Sequence, residues 1–344
     1  MRKILSLFIL TSLLSSLLFS CARDPEKKSK TYYGLFGTVT TVYDYSGSSA
    51  EDFAILADSV HERLAYYDAM FDIYESHKDE GYSGVYEINA AAGEAVTVPL
   101  ALIEFLEFAI EMHNLTDGNV NIAMGAVTRL WHDAREAANR PNNPIISLPE
   151  SAALTAAAEH TDIGCIEINR ESLTVRLTDP EARLDVGAIA KGYAAERVAE
   201  ELTREGYSGI ILDVGGNLRA VGSKPSGKGW QTGVKNPEPT ADKPYVYTFE
   251  IKNASAVTSG DYERYYTVGG VRYHHIINKD TLMPKNDYRS VTVVTEDSGL
   301  ADALSTALFN MDYEDGVRLI ESIDSAFAVW VMPDGRIFLH GDTP

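Results

Sequence analysis

Leu184-Asp185-Val186-Gly187-Ala188-Ile189-Ala190-Lys191-Gly192-Tyr193 is a glycine-bearing turn that runs into a helix expected to continue to about Arg204. Such a turn presents free backbone amides and the positive end of a helix dipole, a natural seat for phosphate with Lys191 as a point charge. A tight helix start with a solvated lysine has the same appearance. It is not a Walker A loop, because Lys191 precedes Gly192 and no Ser or Thr follows.

Upstream of this turn, Phe53, Leu56, Val60, Leu64 and Met70 fall at helical spacing over residues 51–71, and a second helix is expected over about 100–112. Asn139 to Pro144 reads as a loop. Ser147-Leu148-Pro149-Glu150 has the cap-like Ser, early Pro and following Glu of a helix start. Cys165 to Leu177 alternates around Asn169 to Ser172 as a hairpin, which makes Cys165 a small buried hydrophobe. Downstream, Ile210 to Val214 is a short buried strand, and the Pro- and Gly-rich run from Gly222 to Pro244 reads as turns and a surface loop. Strands are expected near 246–251, 271–277 and 290–295, and helices near 300–310 and 314–322. A last hairpin, Phe327 to Met332 and Arg336 to Leu339, turns at Pro333-Asp334-Gly335. Helices and strands intermingle without regular βαβ alternation, so the fold class is α+β.

The 344 residues carry 30 basic and 50 acidic side chains, a formal charge of −20, at 45% hydrophobic content. That is ample for a large core, and the negative field makes nucleic acid an improbable partner while leaving room for a local phosphate pocket. Two cysteines, Cys21 and Cys165, exclude a thiolate metal centre or a disulfide framework. Residues 1–20 run basic, apolar, then small, the order of a secretory signal peptide. Leu18-Phe19-Ser20-Cys21 resembles a bacterial lipobox, so Cys21 is the expected lipidation site, with 21–30 as a polar tether and the folded domain over 31–344. Acyl chains there would anchor the domain at the extracytoplasmic side of a bacterial envelope membrane. Simple cleavage of an unlipidated signal is the alternative.

Three further segments carry chemistry. Asp213-Val214-Gly215-Gly216-Asn217 places two glycines directly after a strand, where the backbone turns sharply or admits a close approach. Thr258-Ser259-Gly260-Asp261-Tyr262 is followed by Arg272-Tyr273-His274-His275-Ile276-Ile277. Adjacent strand residues face opposite sides, so one imidazole of the pair can address a given site and serve as a general base near neutrality. In Ala301-Asp302-Ala303-Leu304-Ser305-Thr306, one carboxylate and two hydroxyls share a helical face. That set suits magnesium. An Asp complementing the helix dipole, with Thr306 bonded to the backbone, accounts for the same residues.

In this order, and preceded by Phe36-Gly37-Thr38, Asp72-Ile73-Tyr74, Val85 to Asn89, Thr116-Asp117-Gly118 and Leu130-Trp131, the four segments resemble the ApbE family of FAD:protein FMN transferases. The resemblance covers almost all of the chain beyond the leader. It implies mixed or antiparallel sheets flanked by helices, a bound FAD substrate, and magnesium held by the Ala188 carbonyl, Asp302, Thr306 and in some members the residue at Ser305. Flavin or adenine contacts map to Phe36, Tyr74, Asn119, Val120, Asn121, Asp185, Lys191 and Ile276, and the catalytic base to His275. The implied reaction moves FMN from FAD to a Thr or Ser hydroxyl of an acceptor flavoprotein and releases AMP. Water as nucleophile would make the protein an FAD pyrophosphatase, and binding without turnover a flavin reservoir. The chain departs from the family pattern at Asn278, Lys279 and Leu282, where Asp, Pro and Gly are usual, and at Asn121, where Asp is usual.

Overall fold

The computed structural model describes residues 24–142, 144–240 and 242–342; the leader and Cys21 lie outside the described residues. The strands in chain order are β1 (Lys28–Tyr33), β2 (Val39–Asp44), β3 (Val96–Thr97), β4 (Ile166–Asn169), β5 (Thr174–Leu177), β6 (Ile210–Val214), β7 (Asn217–Val221), β8 (Trp230–Thr240), β9 (Lys243–Ile251), β10 (Ser255–Gly260), β11 (Tyr265–Val268), β12 (Val271–His274), β13 (Ser290–Thr295), β14 (Phe327–Val331) and β15 (Ile337–Gly341). The helices are α1 (Ala50–Phe71), α2 (Val85–Ala90), α3 (Leu100–Leu115), α4 (Gly125–Ala138), α5 (Ser151–Ala158), α6 (Ala190–Arg204), α7 (Ser298–Asn310) and α8 (Tyr313–Glu321).

An eight-stranded sheet in the order β1-β2-β6-β7-β10-β13-β14-β15 forms the framework. Its ladders are antiparallel throughout, which makes the fold α+β as the sequence indicates. Strand β14 is buried along its whole length because both of its faces are covered. Ala328 and Trp330 join Val198 of α6 and Leu304 of α7 in the main core. Phe327, Val329 and Val331 point the other way, onto Trp230, Val234, Phe249 and Ile251 of the β8–β9 ribbon. A smaller cluster gathers Val127 and Trp131 of α4 with Leu154, Tyr266 and Ile277. Cys165 is a buried free thiol, as its place in the hairpin indicates.

The structure departs from the sequence reading at four places. Residues 222–244 contain most of a long strand, since β8 runs from Trp230 to Thr240 against β9. Pro237 and Pro239 fit there because the ribbon has a free edge and its register shifts after Lys235. The third helix begins at Ser151, not at Ser147: Leu148 packs in the smaller cluster, and the Ser147 carbonyl accepts the Tyr266 hydroxyl. The segment expected as a strand over 271–277 stops at His274, beyond which Ile277 makes only an isolated bridge to Pro284. Finally, Lys28–Lys30, the end of the stretch read as a tether, belongs to β1, where Lys28 Nζ lies 3.2 Å from the buried Asp44 carboxylate.

Candidate active site

Helices α6 and α7 meet at their N-terminal ends, and the contact depends on Gly192. A Cβ added there would stand 2.3 Å from the Ser298 carbonyl and 2.4 Å from Asp302 Cβ. The Gly192 amide donates to Asp302 Oδ2 at 2.8 Å, and Lys191 Nζ lies 3.9 Å from the same oxygen. Behind this contact, the buried Glu196 accepts Arg219 Nε at 2.7 Å and the Ser298 amide at 2.6 Å, which ties α6 to β7 and to the first residue of α7. Gly192→Ala should therefore cost on the order of 1–3 kcal/mol of stability by overpacking and displace Asp302. Chemical denaturation of the variant checks this, and wild-type stability would mean that the two helices can part without loss.

The oxygens that the sequence places on one face of α7 do converge. Thr306 Oγ1 donates to the Ala188 carbonyl across 3.4 Å, and Ser259 Oγ lies 2.9 Å from Ser305 Oγ and 3.3 Å from Thr306 Oγ1. Ser305 is fully buried and donates to the Asp302 carbonyl at 3.0 Å. Asp302 is 4% exposed, and burial pushes its carboxyl above the ordinary range against Lys191, the Gly192 amide and the adjacent Asn217. The buried Asn217 amide nitrogen points at that carboxylate without reaching a hydrogen bond of standard geometry. Among the described residues no cluster of three or more His, Cys, Asp or Glu could hold a metal. A cation here would rest on one carboxylate plus carbonyl and hydroxyl oxygens, a donor set that fits magnesium. The wide 3.4 Å contact between Ala188 O and Thr306 Oγ1 is near the roughly 3 Å separating neighbouring oxygens about such an ion.

The histidine pair divides as strand alternation requires. His274 is the last residue of β12 and 2% exposed; its Nε2 lies 2.9 Å from the Lys285 carbonyl, and its Nδ1 accepts the Ile276 amide at 3.2 Å. Both ring nitrogens are thus spent on the backbone. His275 sits in the bend that follows, solvent-exposed, with no protein hydrogen bond to its ring among the described residues. Although water reaches the ring, protein crowds round it. That crowding first, then Arg264, His274, Lys191 and Arg135, push the imidazole down to about 3. The phosphate-seat lysine is thus one of the cations whose charge acts on the free base.

Of the residues expected to contact flavin or adenine, some offer their side chains to solvent and some do not. Phe36 adopts φ 53, a left-handed conformation held by its amide on Asp68 Oδ1 at 2.7 Å. Tyr74 is exposed, and its hydroxyl lies 3.2 Å from His132 Nδ1. Asp185 braces the turn before α6, accepting the Gly187 amide at 3.0 Å and the Thr128 hydroxyl at 2.7 Å. By contrast Val120 is buried in the main core and Ile276 is 6% exposed, so only their backbones could meet a ligand. Asn119 folds its amide onto the Thr116 carbonyl at 3.0 Å. Asn121 ties Thr161 to Ala123 and borders a pocket of about 390 Å³ that it shares with His113, Asp117 and Lys279. Asn278 does a turn-former's work, accepting the amides of Asp280 and Thr281 at 3.1 and 3.0 Å. Leu282 takes φ 58, the left-handed conformation that a glycine would adopt freely. The loop after His275 keeps a tight turn despite the changed residues.

Sequence reasoning missed the contribution of α4, whose His132 stands beside Tyr74 and whose Arg135 bonds His132 and adds to the charge acting on His275. The signal was present in the helical spacing of Val127, Leu130, Trp131, Ala134 and Ala138. It also missed Arg264, an exposed arginine in a polar loop with no local pattern to mark it.

An antiparallel α+β scaffold thus sets a helix-start lysine beside an oxygen cluster, with an exposed imidazole on which that lysine's charge acts. The ApbE family profile matches residues 36–330, and the chain belongs to that family. It is 30% identical over 318 residues to the FAD:protein FMN transferase of Treponema pallidum, covering 88% of this chain and 84% of the relative. It is 29% identical over 286 residues to the enzyme of that name from Klebsiella pneumoniae, covering 83% of this chain and 84% of the relative. The crystal structure of the ApbE protein from Thermotoga maritima superposes with a TM-score of 0.79 at 27% identity, over 92% of this chain and 97% of that one. Apo flavinyl transferase ApbE from Pseudomonas stutzeri gives 0.72 at 25% identity, over 92% and 95%.

Proposed function

We propose that this protein is an FAD:protein FMN transferase that moves FMN from FAD to a Thr or Ser hydroxyl of an acceptor flavoprotein and releases AMP. The observation that carries the reading is the convergence of Asp302, Thr306 and the Ala188 carbonyl beside Lys191, whose charge also acts on the exposed, uncommitted His275. The acceptor oxygen attacks the phosphorus on the FMN side of the pyrophosphate. Its proton passes to the neutral His275 imidazole, the bond from that phosphorus to the bridging oxygen breaks, and AMP departs with the bonding pair. Magnesium held by Asp302, Thr306 and Ala188, with Ser305 bracing from behind, would neutralise charge on the phosphates. Lys191 adds a fixed positive charge where the leaving phosphate gains its own.

Crowding by protein first, and the nearby cations after it, hold the basicity of His275 down. A bound pyrophosphate offsets them and lifts the imidazole toward the working pH, where a general base is most effective. Incubating the protein with FAD and magnesium, with and without an acceptor, tests the reading through AMP and protein-bound flavin fluorescence. Transfer requires both signals together; AMP without acceptor marks a pyrophosphatase, and neither signal marks a reservoir.

The lipobox-like run before Cys21 supports an acylated anchor that places this domain on the extracytoplasmic face of the envelope, beside membrane-bound acceptors. Cys21→Ser should release the protein from membranes into the soluble fraction. Unchanged membrane association, together with no lipid mass on the wild-type chain, would refute the anchor.

A further inference from the structure

We infer that Arg264 is a positioning residue that joins the Phe36 turn to His275, fixing the flavin-side wall of the cleft and setting the charge beside the base. The inference rests on the transferase reading for its purpose, but its geometry stands on the chain alone.

In the β11–β12 ladder Tyr265 pairs with His274 and Tyr266 with Tyr273. Arg264 and His275 directly adjoin the end pair Tyr265–His274, one on each side of the ladder's end. From there the guanidinium reaches across to the N-terminal segment, where Nη2 donates to the Phe36 carbonyl at 3.2 Å and approaches the Gly37 carbonyl at 3.5 Å. It lies so close over Gly37 that a Cβ at that residue would stand 3.4 Å from Nη2. The left-handed Phe36 is thus clamped from both sides, its amide by Asp68 and its carbonyl by Arg264. No other protein hydrogen bond engages the guanidinium among the described residues, which leaves its remaining donors uncommitted.

The charged groups that act on His275 come from four elements: Arg264 before β11, His274 at the end of β12, Lys191 in α6 and Arg135 in α4. Crowding by protein lowers the imidazole most, and Arg264 is the largest of the charges. One side chain therefore bears on the Phe36 turn and on the base.

Two substitutions separate the parts. Arg264→Gln removes the cation and keeps an amide donor; Arg264→Lys keeps the cation and loses the planar fork. The His275 titration is read by NMR of the histidine Cε1–H signals in FAD-free, metal-free protein, with His275→Ala providing the assignment. Arg264→Gln should raise the midpoint by about one pH unit or more, whereas Arg264→Lys should leave it near the wild-type value. In a separate measurement, FAD affinity by fluorescence quenching should fall roughly tenfold in Arg264→Lys, because the Phe36 turn is no longer clamped. An unmoved midpoint in Arg264→Gln, or wild-type FAD affinity in Arg264→Lys, overturns the inference. Wild-type protein that binds FAD but yields neither AMP nor labelled acceptor would sink the transferase reading, while the NMR midpoints still decide the role of Arg264.

Discussion

Replacing His275 with alanine should slow single-turnover FMN transfer by roughly a hundred- to ten-thousandfold, the range that general-base help supplies, while FAD still binds. The ring is exposed and unbonded, so its loss leaves no buried partner unsatisfied and little stability changes. His274→Ala should behave in the opposite way. That ring is buried between the Lys285 carbonyl, the Ile276 amide and Phe309, so its removal should cost on the order of 1–3 kcal/mol and lower the melting temperature. The transfer rate per folded molecule should stay near wild type.

A pH profile provides a second check on His275. A base works in its neutral form, so activity is present above its pKa and lost as the pH falls through it. The shift of His275 is downward, so kcat/KM, which reports the free enzyme, should show no acid limb near the ordinary imidazole value of 6.5. An acid limb at that value that survives in His275→Ala would assign it to another group. If His274→Ala is the inactive variant despite folding normally, the two histidines have exchanged roles and the strand register must be redrawn.

How far the site was legible can be judged from these residues. Strand alternation indicated that the two histidines part ways, and the structure buries His274 and exposes His275, although His275 lies one residue past the strand. Helical periodicity brought Asp302, Ser305 and Thr306 to one face because that spacing is a local property of the chain. Proximity of Ala188 to Thr306, at a separation of 118 residues, is a tertiary fact. It depends on the close approach at Gly192, and no local pattern encodes which two helices meet there. The same limit hid Arg264, whose role arises from a contact spanning 228 residues. Strand β8 was misread for a different reason: Pro237 and Pro239 mark loops on average, yet a ribbon with a free edge does not need their missing N–H groups. Leu282 and Asn278 illustrate local chemistry overruled by context. The turn holds a non-glycine in the left-handed region because Trp131 Nε1 bonds the Leu282 carbonyl at 2.9 Å and the leucine packs on the smaller cluster.

Asp302→Asn should reduce magnesium-dependent transfer by more than roughly a hundredfold while the protein remains folded. The expectation follows from what each form of the side chain can do. Asp302 is the one carboxylate in an oxygen set otherwise made of the Ala188 carbonyl and hydroxyls, so removing its charge removes the chief attraction for a divalent cation. Residues one step behind a metal ligand typically cost ten- to a hundredfold when lost, and a direct ligand should exceed that. Asparagine preserves the shape and can still accept the Gly192 amide, which in the wild type reaches Oδ2 at 2.8 Å. Asp302→Ala would strand that buried N–H and confound a folding defect with a metal defect, so the isosteric change is the cleaner test. Because Asp302 is buried beside Lys191, neutralising it also removes a burial cost, and the melting temperature without magnesium should hold or rise. The measurements are the magnesium dependence of AMP release, direct binding of manganese as a paramagnetic stand-in, and thermal denaturation without metal. Wild-type manganese binding by a folded Asp302→Asn protein would move the cation away from α7, and unchanged magnesium dependence would remove Asp302 from the reaction altogether.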